Sequence, residues 1–195
     1  MLPPEQLTNA IALVGGGNHA LGLTEDGTVL AWGNNDFGQT NVPAGLTNII
    51  ALAAGTTHSL ALKDDGSVIA WGRNDLGQTD VPGTVTHAVA ISAGGQQSLA
   101  LGKDGTVVQW GQANAAVPSG LANVTAIASG TNFHLALLGD TTVVAWGANG
   151  SGQTRSLLKY HSILNKDLTV LSNNYVLREE KGSAVRALDC SRSGS

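Results

Sequence analysis

Cysteine, charge and aromatic side chains are all scarce in this chain of 195 residues. A single cysteine, Cys190, cannot make an internal disulfide, so a disulfide-stapled scaffold is excluded. Near the chain end it reads as a bland thiol rather than a reactive one. Charged residues amount to 12% beside 42% hydrophobic ones, the opposite of a disordered, solvating composition. No run of 18 apolar residues occurs, which excludes a membrane-spanning helix. The opening MLPPEQLTNA lacks the basic and apolar regions of a secretory signal, so the chain reads as soluble. Basic residues are rare through 1–154, where Lys63, Arg73 and Lys103 stand against ten acidic groups. A body at −7 repels phosphate, so nucleic acid is not an expected partner. The +3 carried by residues 155–195 is too small and too scattered to reverse that. Zinc-protease, nucleophile-elbow, phosphate-loop and dinucleotide motifs are all missing, and no metal or cofactor is expected.

What is present is a repeat. Four of the eight aromatic residues are tryptophans, and there are 26 glycines. Trp32, Trp71, Trp110 and Trp146 are spaced by 39, 39 and 36 residues, and each precedes a glycine. The first two copies, LAWGNNDFGQTNVPAGLTN and IAWGRNDLGQTDVPGTVTH, match nearly throughout. The third, VQWGQANAAVPSGLAN, has lost three residues between Trp110 and Val117, and the fourth returns to AWGANGSGQT. Within one unit, 48–54 is apolar and of strand length, 58–62 alternates, and 68–71 is a short β-branched and aromatic run. Asp26-Gly27, Asp65-Gly66 and Asp104-Gly105 predict tight hairpins of type I′, with Asp140-Thr141 a poorer turn in the fourth copy. Val-Pro pairs such as Val42-Pro43 suit an extended outer segment. One sheet of this size cannot bury a face alone, so units must lean on one another. Radial stacking, an all-β propeller, is the expected fold, with a solenoid as the alternative.

The blocks HSLAL, DGTVxAWG and NxxGQTxVP resemble the regulator of chromosome condensation repeat in its short bacterial form, over residues 8–154. The resemblance implies blades of a β-propeller that usually has seven, with functions that differ between members. About four are expected here, an incomplete set, in units of about 8–46, 47–85, 86–121 and 122–154 within a domain 1–154. Residues 155–195 read as a non-repeat tail, either a cap on the last blade or foreign sequence joined to a fragment, with 191–195 as an appended linker. Leu157, Tyr160, Leu164, Leu168 and Leu171 have helical spacing in that tail.

Candidate chemistry is sparse. His19 and His58 hold the same repeat position, where the third unit has Gln97 and the fourth has Phe133 followed by His134. They can act as bases or ligands at a rim or channel, or simply bond a turn carbonyl; replacement by Gln and Phe favours the second reading. Ser59 and Ser98 read as small packing residues. Asp36 and Asp75, with Asp26, Asp65 and Asp104, offer carboxylates for binding, but their turn positions already account for them and no calcium-loop spacing occurs. The tryptophans read as packing between blades rather than a light-sensing cluster. The expected function is a scaffold that binds a protein or small-molecule ligand and self-associates to cover its ends. A hydrolase of esters or lactones, using His19, His58 and His134 on one face, is the alternative, and a tryptophan-based light sensor is the weaker one.

Overall fold

The computed structural model describes residues 9–112 and 115–154, together with three short strands beyond them. The first sheet is β1 (Ala10–Gly15), β2 (His19–Thr24) and β3 (Val29–Gly33). The second is β4 (Ile49–Ala54), β5 (His58–Lys63) and β6 (Val68–Gly72). The third is β7 (Ala88–Gly94), β8 (Gln97–Gly102) and β9 (Val107–Gly111). The fourth is β10 (Val124–Ser129), β11 (Phe133–Leu138) and β12 (Val143–Gly147). All four are antiparallel meanders with the second strand in the middle. Among the described residues, the segments that follow Trp32, Trp71 and Trp110, Val-Pro pairs included, form no strand and lead to the next sheet. Among the described residues there is no helix, and so none long and apolar enough to cross a membrane.

The hairpins form where the Asp-Gly pairs lie, but the turn differs from the expected type. Asp65 keeps a negative φ and only Gly66, at +81°, is left-handed. Gly66 N–H donates to the Lys63 carbonyl and Lys63 N–H to the Ser67 carbonyl. That is a three-residue loop, a type I turn closed by a glycine bulge. The aspartate's carboxylate then accepts the Ser67 N–H at 2.9 Å, so it serves as a side-chain brace rather than as a left-handed residue. Thr141 takes the glycine's place in the fourth sheet at φ 72° and keeps the same bond, Thr141 N–H to the Leu138 carbonyl.

Each sheet buries its faces only against its neighbours. Leu21, Leu23 and Val29 of the first sheet pack on Leu52, Ala61 and Trp71 of the second. Leu60, Leu62 and Val68 meet Ile91, Ala100 and Trp110. Leu99 and Leu101 meet Ile127, Ala136 and Trp146. The core is therefore three inter-sheet layers, each a Leu-x-Leu front face against a Trp-bearing back face. A fully buried leucine contributes about 1.5–3 kcal/mol, which is why the pairing of faces decides the fold. The first strands of neighbouring sheets lie against one another, whereas the third strands make no comparable approach. The first strands thus form the inner side of the stack.

The strands past residue 154 are β13 (Leu168–Leu171), β14 (Tyr175–Arg178) and β15 (Arg186–Asp189), a further antiparallel meander. Helical spacing in the tail is not realised at Leu168 and Leu171, which lie in β13 and pair with Arg178 and Tyr175. Thr169 and Val170 between them are β-branched and suit a strand. Leu157, Tyr160, Leu164 and Cys190 lie outside the described residues.

Candidate functional site

The recurring polar residues converge between sheets. His19 sits at the start of β2, and its Nε2 is 3.0 Å from Ser59 Oγ on β5 of the next sheet. Ser59 Oγ donates back to the Gln39 carbonyl at 2.9 Å, and the same carbonyl accepts the Trp71 indole N–H at 3.0 Å. One sheet on, His58 Nε2 is 2.9 Å from Ser98 Oγ, and the Gln78 carbonyl accepts Ser98 Oγ–H at 2.9 Å and Trp110 N–H at 3.0 Å. The glutamine carbonyl is aimed by its own side chain. Gln39 Oε1 accepts the Phe37 N–H at 2.9 Å and Nε2 donates to Asn34 Oδ1 at 2.6 Å, closing the turn so that the peptide faces the interface.

The proton positions follow from counting. The serine hydroxyl has one hydrogen, and it goes to the glutamine carbonyl; serine must therefore accept from Nε2–H. His19 and His58 are neutral, with Nδ1 lacking a partner in both. Burial pushes the His58 imidazole down to about 4, helped by the nearby His19 and opposed by the Gln97 backbone. Burial likewise lowers His19, against the His58 backbone. A serine that donates away from its histidine is not the activated nucleophile a hydrolytic pair requires.

The third and fourth sheets solve the same problem differently. The deletion after Trp110 removes the residue equivalent to Gln39 and Gln78. Trp146 N–H instead donates to the side-chain Oε1 of Gln109 at 2.9 Å, and Gln109 Nε2 donates to the Ala115 carbonyl at 3.0 Å. Gln109 stands where the other units have Ala31, Ala70 and Ala145. Where the serine would be is His134, whose Nδ1 is 3.1 Å from Ser129 Oγ and whose ring lies 5.3 Å from that of Trp146. Burial lowers His134 to about 4. Gln97 Nε2 donates to the Gln112 carbonyl. The three histidines thus lie buried in inter-sheet positions and are not gathered on one exposed face.

The carboxylates are elsewhere. Asp36 accepts from Asn34 Nδ2 at 2.8 Å, and Asp75 is held by Arg73, whose Nε donates at 2.8 Å. Arg73 stacks over Phe37, 4.7 Å from the ring centroid. Asp75 is kept below its usual range first by the Arg73 hydrogen bond. Asp26, Asp65 and Asp104 each brace their own hairpin. Among the described residues no group of three or more His, Cys, Asp or Glu could hold a metal ion. Sequence reasoning took Ser59 and Ser98 as packing and missed Gln39, Gln78 and Gln109 altogether. The signal was there, in the recurrence of GQT and in Gln109 appearing in the one unit that lost it.

The exposed apolar residues also recur. A register shift in each first strand pushes one residue out of the ladder. Ile11, Ile50 and Val89 occupy that place, 65%, 56% and 51% exposed, on neighbouring inner strands. An open groove of about 480 Å³ lies between the β8–β9 and β11–β12 hairpins, lined by Lys103, Asp104, Asn123 and Asp140 among others.

Three-stranded meanders stacked face to face, with inner first strands and a repeated Leu–Trp interface, define a β-propeller-type repeat protein. The regulator of chromosome condensation (RCC1) repeat matches residues 10–39, 49–78 and 124–153, and the chain is a partial repeat protein of that family. The unmatched unit is the third, which carries the deletion. Solved structures similar to it include Prp20p of Saccharomyces cerevisiae, described with its binding to Gsp1p and histones, at 23% identity and TM-score 0.64, covering 75% of this chain and 47% of that one. Human WBSCR16 is similar at 19% identity and TM-score 0.69, covering 86% and 58%. The ectodomain of the Arabidopsis thaliana receptor kinase ACR4 is similar at 24% identity and TM-score 0.62, covering 75% and 52%. The chain spans about half the length of these proteins. No curated protein matches it in sequence.

Proposed function

We infer that the chain is a binding scaffold whose inner face takes a protein partner. The observation that carries this is the row Ile11, Ile50 and Val89. Aliphatic side chains more than half exposed recur at one bulged position on successive strands, where a residue serving only the fold would be polar. Thr125 continues the row in the fourth sheet. The bulge is a device for re-aiming a side chain, and here it aims the same kind of side chain three times. A partner with an extended apolar segment fits such a row better than a compact small molecule does. The acidic body favours a partner with basic residues beside that segment. The buried histidines support the same reading, since each is already bonded inside the stack.

Selection of a displayed peptide library on the chain tests this. Enriched peptides are expected to be apolar with flanking Lys or Arg, and Ile50→Asp or Val89→Asp should weaken them at least about tenfold, the loss of about 1.4 kcal/mol or more. Because both side chains are exposed, the melting temperature should hold. Peptides that bind equally to both variants would overturn the reading.

A further inference from the structure

We propose that the back face of the first sheet is an interaction surface for a second copy of this chain, which docks with the front face of its fourth sheet. The two faces are the unmatched halves of the interface that the chain builds three times within itself.

The back face comes first. Leu13 holds the position of Leu52, Ile91 and Ile127, which are 5–7% exposed, yet Leu13 is 63% exposed. Trp32 holds the position of Trp71, Trp110 and Trp146. Those three are buried and each donates its indole N–H to a group of the preceding unit. Trp32 is only half-buried, and there is no preceding unit among the described residues to bring it an acceptor.

The front face is its complement. Leu135, Leu137 and Val143 are half-buried, whereas Leu60, Leu62 and Val68 at the same positions are buried. Gln153 is the equivalent of Gln39 and Gln78, whose carbonyls receive the tryptophan of the next sheet. Those two are fully buried and Gln153 is exposed. Its side chain closes the same turn, Oε1 accepting the Ser151 N–H at 2.8 Å, so its peptide is set up as theirs are. The tail meander approaches through β13 beside β10 but leaves Gln153 exposed.

The third correspondence is the most specific. In the first two of the three inner interfaces a histidine meets a serine, His19 with Ser59 and His58 with Ser98, and the third sets Gln97 and His134 at these positions. At the open ends the histidine position holds Phe133 and the serine position holds Ala20. Had only one been replaced, a buried polar group would lose its partner. Both are apolar, so Phe133 of one copy meets Ala20 of another with no orphaned hydrogen bond. The docking is head to tail: front on back, with Trp32 N–H given to the Gln153 carbonyl of the neighbour. Two copies close if the rotation closes, and otherwise add on.

The proposal does not depend on the inner-row reading, which uses other residues. Sedimentation of the full chain measures it, with two variants, Leu13→Lys on the back face and Leu137→Lys on the front. Wild type should sediment as two or more copies. Each variant alone should lose that species, with circular dichroism unchanged. Leu13 is exposed, so its replacement leaves the fold intact. Mixing the two variants should restore a one-to-one complex, because one of them keeps an intact front face and the other an intact back face. A monomeric wild type, a Leu13→Lys variant that still associates, or a mixture that stays monomeric would each overturn the proposal. The first outcome would mean that these faces belong to other occupants, such as further blades.

Discussion

At the scale of single residues, the fold buries His19 and His58 uncharged and uses them as hydrogen-bond donors. His58 is fully buried and donates Nε2–H to Ser98, while its Nδ1 has no hydrogen-bond partner. In the unfolded chain it takes up a proton near pH 6.5, whereas in the fold it resists until about 4. As pH falls through that window the unfolded state binds more protons, and stability drops; above pH 6.5 its contribution is whole. The depressed value corresponds to a loss on the order of 3 kcal/mol from this one residue. His58→Gln, the amide that Gln97 already places at this position, should flatten the fall in melting temperature between pH 7 and 4.5. Melting curves for both proteins across that range check it. Sequence reasoning identified the repeat position and favoured a structural bond. It could not see that the partner is a serine of the next unit, because periodicity does not say which unit a side chain turns toward.

Elements were the most legible level. The three runs in each unit became the three strands within a residue or so: 48–54 is Ile49–Ala54, 58–62 is His58–Lys63 and 68–71 is Val68–Gly72. Short apolar runs punctuated by turns leave few other arrangements. The turn type was less legible, since Asp-Gly serves both the two-residue I′ loop and the three-residue loop found here, and the flanking register decides between them. Thr141 shows the constraint by breaking it. A β-branched residue at φ 72° sits where Gly27, Gly66 and Gly105 have φ of 80–82°. Such a conformation costs of order 1–3 kcal/mol, part of which glycine returns to the unfolded chain as entropy. Thr141→Gly should therefore raise stability by about 1 kcal/mol in urea titrations. By contrast Gly66→Ala should destabilise, since the new Cβ would lie 2.6 Å from the His87 Cα.

The whole molecule is a row of interfaces rather than one core. Among the described residues the substantial contacts between sheets run to the adjacent unit, as in other repeat architectures, so damage at one interface should be felt there first. The join between the third and fourth sheets is the informative one. Gln109→Ala leaves the Trp146 indole N–H without its acceptor and should cost about 1–3 kcal/mol. The same substitution made beside Trp146→Phe should cost clearly less, because no donor is left to satisfy. A double-mutant cycle by denaturant titration reads that difference directly. Equal costs in both backgrounds would show that Gln109 acts only through packing.

Read alone, the amino-acid order determined the number of units, their strands, the hairpin positions and the need for each sheet to lean on another. Those features are local or strictly periodic, and the spacing of apolar and turn residues encodes them. Only the tertiary structure decided which acceptor receives Trp71, Trp110 and Trp146, which tautomer His19 and His58 adopt, and how Gln109 makes good a deletion. Those pairings join groups 20 to 40 positions apart across a sheet boundary. A repeat is the same viewed from either neighbour, so its direction of packing exists only once the sheets are stacked.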